Sequence, residues 1–125
     1  TKGTPWISVN PNYKEINVEN ALKDKNSIFY YYQKLIELRK EHEVIVYGDL
    51  NMLLKENESI FMYTRSYNNE KLLVILNFYE KRVEIKIDKE LDLKKAELLI
   101  SNYEVKKDDI KDIVLRPYEA SVYLL

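Results

Sequence analysis

Residues 27–53 read SIFYYYQKLIELRKEHEVIVYGDLNML, and the change of period inside this stretch decides the fold. As far as Glu41 the apolar residues recur as they do on a helix. Ile28, Tyr32, Leu35 and Leu38 or Arg39 fall at steps of three and four, and Phe29 and Ile36 widen the stripe. Asn26 or Ser27 is placed to cap the first free amides, while Arg39 and Lys40 suit the negative pole at the other end. Three adjacent tyrosines, Tyr30, Tyr31 and Tyr32, break this simple picture. Successive helical residues point about 100° apart, so three large rings do not share one core. Protein contact on more than one side of the helix is expected. From Val44 the helical period stops, and residues 44–54 read as strand around Gly48.

Downstream the pattern is that of a sheet. In residues 59–67, SIFMYTRSY, Phe61, Tyr63, Arg65 and Tyr67 alternate with Ile60, Met62, Thr64 and Ser66. Asn68-Asn69 follows, a pair that tolerates positive φ, so residues 59–67 and 71–78 are expected to form a hairpin. Residues 72–76, LLVIL, are apolar on both faces and read as the central strand. Val83, Ile85 and Ile87 alternate with Glu84, Lys86 and Asp88, which predicts a strand with one wet face. Residues 96–100 and 118–125 are further candidate strands, with Pro117 at the start of the last, and residues 104–112, EVKKDDIKD, read as a charged loop. About six short strands with polar turns between them argue for a mainly-β, antiparallel sandwich.

Upstream, residues 1–17 are irregular, yet they carry two large rings that favour burial: Trp6 after Pro5, and Tyr13 after the turn sequence Asn10-Pro11-Asn12. A short helix over residues 18–23 is expected, capped by Asn17 and with Glu19 in its first turn. The chain opens at Thr1 rather than at methionine, which suggests an excised or processed piece.

Twenty basic and twenty-one acidic side chains leave no field to steer nucleic acid. The longest apolar run falls far short of the roughly 20 residues that span a bilayer, so no membrane partner is expected. With no cysteine there is no disulfide or thiolate metal site, which fits a cytoplasmic setting. His42 is the sole histidine, at a charged helix end, and reads as a helix-terminal cap or a solvated side chain. The acids sit mainly in turns and on wet strand faces, where they serve solubility. No catalytic, cofactor-binding or metal-binding residue is therefore assigned. Eleven tyrosines, three phenylalanines and one tryptophan are the chemical oddity. Rows of exposed rings stack on sugars, so a carbohydrate-binding module is one alternative; half-buried strand tyrosines account for most of them.

Gly3-Thr4-Pro5-Trp6-Ile7, Val9-Asn10-Pro11-Asn12-Tyr13 with Glu15-Ile16-Asn17, Phe29-Tyr30-Tyr31-Tyr32, and Lys34-Leu35-Ile36-Glu37-Leu38-Arg39-Lys40 with Val46-Tyr47-Gly48 resemble the C-terminal part of oligo-1,6-glucosidases and related α-glucosidases. These belong to the α-amylase superfamily, glycoside hydrolase family 13. The likeness continues more weakly through residues 72–78, 97–103 and 118–120. It implies that residues 1–43 are the end of a catalytic (β/α)8 TIM barrel, namely the loop after strand eight and the final helix. Residues 44–125 are then a Greek-key-type antiparallel β-sandwich. The family's catalytic carboxylates belong to earlier barrel strands, so none is carried onto this chain, which is expected to be inactive alone. Trp6, Asn10, Asn12 and Tyr13 are expected to support the barrel rim, and Phe29, Tyr30, Tyr31 and Tyr32 to make interdomain contact. The implied partners are the missing barrel and, for the whole enzyme, an oligosaccharide substrate. Without the barrel the exposed helix rings are expected to self-associate. Trehalose-6-phosphate hydrolase is the nearest enzymatic alternative.

Overall fold

Asn68 takes φ 52° and turns the chain between β2 (Ile60–Tyr67) and β3 (Glu70–Asn77), which pair antiparallel with Tyr67 opposite Glu70. This is the hairpin that the alternation and the Asn-Asn pair predict. The structure is a computed structural model that describes residues 2–86, 91, 93–105 and 113–125. The chain divides into two compact units, Thr1–Lys34 and Leu35–Leu125. The helix α2 (Ile28–Glu41) runs through that division.

In the second unit, β1 (Asp49–Leu53), β2, β3, β5 (Glu97–Ser101) and β7 (Ala120–Leu124) form one antiparallel sheet in the order β1-β2-β3-β7-β5. The strands β4 (Val83–Ile85) and β6 (Ile113–Leu115) form a second, two-stranded sheet. The chain leaves β3 for the second sheet, returns as β5 at the far edge, leaves again as β6, and inserts β7 between β3 and β5. That exchange is of the Greek-key type. Alternation sends Ile60, Met62, Leu73, Ile75 and Tyr123 to one face, where they pack with Ile85, Ile113 and Leu115 of the small sheet. Leu73 and Ile75 are fully buried, and β3 is the central strand, as its two-sided apolar run requires.

Four expectations need correction. Residues 44–47 are a helical turn, α3 (Val44–Tyr47), and the strand starts only at Asp49. Strand propensity of Val-Ile-Val is overridden because Val44 is fully buried and the turn's amides bond back to His42, Glu43 and Val44 carbonyls. The strand β6, for which the sequence gives no signal, is three residues long and, among the described residues, pairs with β4 alone. The last strand starts at Ala120, not Tyr118, because Tyr118 takes φ 55° in a tight turn whose Glu119 amide donates to the Arg116 carbonyl. Finally, Glu119 is not solvated: it is 4% exposed and accepts hydrogen bonds from the Arg116 amide and guanidinium at 2.8–2.9 Å. Of the predicted strand through Ile87 and Asp88 only Val83–Ile85 is seen; residues 87–90, and 106–112 of the charged loop, lie outside the described residues.

Asn77 closes the same end of the sandwich. Its side-chain amide donates to the carbonyls of Lys81 at 2.8 Å and Arg116 at 2.9 Å, and its oxygen accepts from the Tyr79 amide at 3.0 Å. It is 3% exposed and meets the requirement that buried polar groups be paired.

Candidate interdomain surface

The first unit is held by asparagines rather than by a core. Asn10 caps a 3-10 turn, Pro11–Lys14, its side chain accepting from the Asn12 amide, while the Asn12 carbonyl accepts from the amides of Glu15 and Ile16. The predicted helix forms as α1 (Val18–Lys23), and Asn17 caps it by accepting from the Asn20 amide at 2.8 Å. The amides of Asn17 and Asn20 then reach back to the carbonyls of Tyr13, Lys14 and Glu15. The role of Asn20 was not visible in the sequence; its only signal is the density of asparagines around it. Asn10, Asn12 and Tyr13 thus share one rigid turn, whereas Trp6 lies apart from it in sequence and has no ring contact among the described residues.

This unit has no buried side chain among its described residues. Trp6 is 95% exposed, and Ile7, Val9, Tyr13, Ile16, Val18 and Leu22 are exposed too. Along α2 only Leu38 is buried. The predicted core stripe faces solvent: Ile28 is 86% and Tyr32 64% exposed, and Phe29, Leu35 and Ile36 are exposed with them. Tyr30 and Tyr31 are the half-buried members of the tyrosine run. The Tyr30 hydroxyl donates to the Leu22 carbonyl at 3.0 Å, its ring meets Phe29 edge-on at 5.3 Å, and the Lys25 ammonium lies 4.0 Å over it. Burial pushes the Tyr31 phenol above its ordinary value of 10.0. Ser27 stands immediately before α2, its carbonyl accepting from the Tyr31 amide, and its hydroxyl donates to the Ala21 carbonyl, fastening the start of α2 to α1.

In the second unit the helix end is tied to the sheet. His42, expected to be a cap or solvated, instead places Nδ1 2.9 Å from Oε1 of Glu70 at the start of β3. Arg65 of β2 donates from Nε and Nη2 to the Gly48 carbonyl at 3.1 and 2.7 Å, and from Nη2 to the Val46 carbonyl at 3.5 Å. These are carbonyls that the end of α3 leaves without helical partners. Gly48 lets them approach: a Cβ there would lie 2.4 Å from the Val44 carbonyl oxygen.

Among the described residues no helix is long and apolar enough to cross a membrane. Residues 1–48 match the family model described as alpha amylase, catalytic domain, and residues 60–122 match that described as alpha-amylase SusG C-terminal domain. The chain is 54% identical over 125 residues to an oligo-1,6-glucosidase of Bacillus cereus, covering 100% of this chain and 22% of that protein. It is 46% identical over 127 residues to a trehalose-6-phosphate hydrolase of Bacillus subtilis (strain 168), with the same coverage of 100% and 22%. The crystal structure of the trehalose-6-phosphate hydrolase of Bacillus licheniformis matches with a TM-score of 0.87 at 45% identity, over 99% of this chain and 23% of that one. The chain thus spans 22% of the length of each of these two relatives.

Proposed function

We propose, given that this chain belongs to the α-amylase family through its C-terminal domain, that it is the non-catalytic C-terminal region of an α-glucosidase that supports the enzyme's barrel. The parent enzyme hydrolyses α-1,6 and related α-glucosidic bonds of short oligosaccharides with retention, using two carboxylates about 5 Å apart that lie upstream of this chain. It works in the cytoplasm. Residues 1–43 complete the barrel, with Trp6, Asn10, Asn12 and Tyr13 bracing its rim and the run from Phe29 to Tyr32 packed against it. Residues 44–125 form the C-terminal domain.

One observation carries this reading: the helical stripe Ile28, Phe29, Tyr32, Leu35 and Ile36 has the spacing of a buried face and is exposed. An apolar face of that kind marks a surface meant to be covered. The upstream part of the enzyme is its occupant; without it, the same rings drive self-association. Trp6 provides the test, being the only tryptophan of the chain. Its emission is that of a solvated indole in this chain alone and shifts to the blue, saturably, when a tryptophan-free version of the upstream part of an oligo-1,6-glucosidase is added. Emission that is unchanged at any concentration overturns the reading. A second reading, a trehalose-6-phosphate hydrolase, is favoured by the structural match to that enzyme, and comparing isomaltose with trehalose 6-phosphate as substrates of the assembled protein separates the two.

A further inference from the structure

Of the fourteen residues of α2 only Leu38 is buried, and after it Val44 is the next apolar side chain fully removed from water. Beyond these, the Tyr47 ring meets Tyr67 of β2 with centroids 5.7 Å apart, and polar links sit at two points on the same hairpin. At the hairpin's turn, Glu70 meets His42, with side-chain exposures of 37% and 17%. In mid-strand, opposite Leu72, Arg65 spans the Gly48 and Val46 carbonyls. The guanidinium does what a lysine cannot: its planar fork places two donors on one carbonyl while its charge sits at the negative end of α3. Gly48 is the matching part, since any side chain there collides with backbone at Val44 and with Cβ of Arg65 at 3.1 Å.

We propose that Arg65, Gly48 and the His42–Glu70 pair form a two-point latch that locks residues 42–48 onto the β2–β3 hairpin. The C-terminal sheet thereby anchors residues 35–41 of α2, which carry Leu35 and Ile36 of the exposed stripe. This second statement rests on the functional reading above and names how the C-terminal domain gives its support: what covers Leu35 and Ile36 is coupled, through the latch, to β2 and β3. Arg65, His42 and Glu70 are positioning residues, acting through the helix and touching no substrate.

Amide hydrogen exchange on this chain tests the latch. In Arg65→Met the amides of Ile45, Val46, Tyr47 and Gly48, all bonded within the turn, exchange about tenfold faster or more, whereas those of Leu73 and Ile75 in β3 change by less than about twofold. His42→Gln gives the same selective loss at smaller size, and Arg65→Lys, which keeps the charge and loses the fork, recovers only part of the protection. Unchanged exchange at residues 45–48 overturns the proposal. So does an equal loss in β3, because Arg65 then serves global stability only. Where Arg65→Met does not fold, Arg65→Lys and His42→Gln carry the same two outcomes. The measurement uses this chain alone, so its failure leaves the docking of the upstream part standing, and failure of docking leaves the latch standing.

Discussion

Replacing Asn77 by alanine removes three hydrogen bonds at once from a site that is 3% exposed. The carbonyls of Lys81 and Arg116 lose their donor and the Tyr79 amide loses its acceptor. A net worth of about 0.5–1.5 kcal/mol per bond gives about 2–4 kcal/mol, out of a total domain stability of about 5–15 kcal/mol. Urea unfolding followed by far-UV circular dichroism should show the midpoint falling with little change in slope, and a melting temperature lower by about 10–20 °C. Asn77→Asp is the sharper variant. It keeps the acceptor for Tyr79 but turns an oxygen toward two carbonyls, so the carboxylate is both desolvated and repelled. Its folded-state pKa is then raised above the unfolded value of about 3.9. A raised pKa means stability that is present at low pH and lost as pH climbs through it. The deficit relative to wild type is therefore largest at neutral pH and shrinks as pH falls toward 4. An alanine variant within about 0.5 kcal/mol of wild type, below the worth of a single such bond, refutes the reasoning, as does an aspartate variant whose deficit does not depend on pH.

Gly48→Ala forces a Cβ to within 2.4 Å of the Val44 carbonyl oxygen, so the same urea assay should register a loss of about 1–3 kcal/mol; a neutral result means the backbone approach is looser than described. Tyr31, its phenol raised by burial, should contribute a late component, above the ordinary value of 10.0, to an alkaline absorbance scan. Its contribution to stability is present below pH 10 and lost as pH rises through the raised value. Tyr31→Phe should remove the late component, and a scan without one contradicts the burial.

What was legible in the sequence was local. The hairpin follows from alternation and one Asn-Asn pair, the central strand from a run apolar on both faces, and α1 from its cap at Asn17. What was hidden depends on partners distant in the chain. Val44–Tyr47 has strand propensity yet is helical, with Val44 fully buried and Arg65, seventeen residues beyond Gly48, donating to the carbonyls at its end. Among the described residues β6 is held by its pairing with β4, which lies some thirty positions away. Asn77 binds the Arg116 carbonyl across 39 residues, so nothing near Asn77 announces it. The candidate surface was half legible. The stripe Ile28, Tyr32, Leu35 was found from its period, but a period says that a face is to be covered, not by what, and in this chain that face is open.

Turnover of p-nitrophenyl α-glucoside tests the central claim, that this chain completes a barrel whose catalytic groups lie elsewhere. No hydrolysis is expected from this chain alone, hydrolysis when it is mixed with the separately produced upstream part of an oligo-1,6-glucosidase, and loss of that hydrolysis when Ile28 and Tyr32 are both changed to aspartate. Turnover by this chain alone, or a mixture no more active than the upstream part by itself, contradicts it.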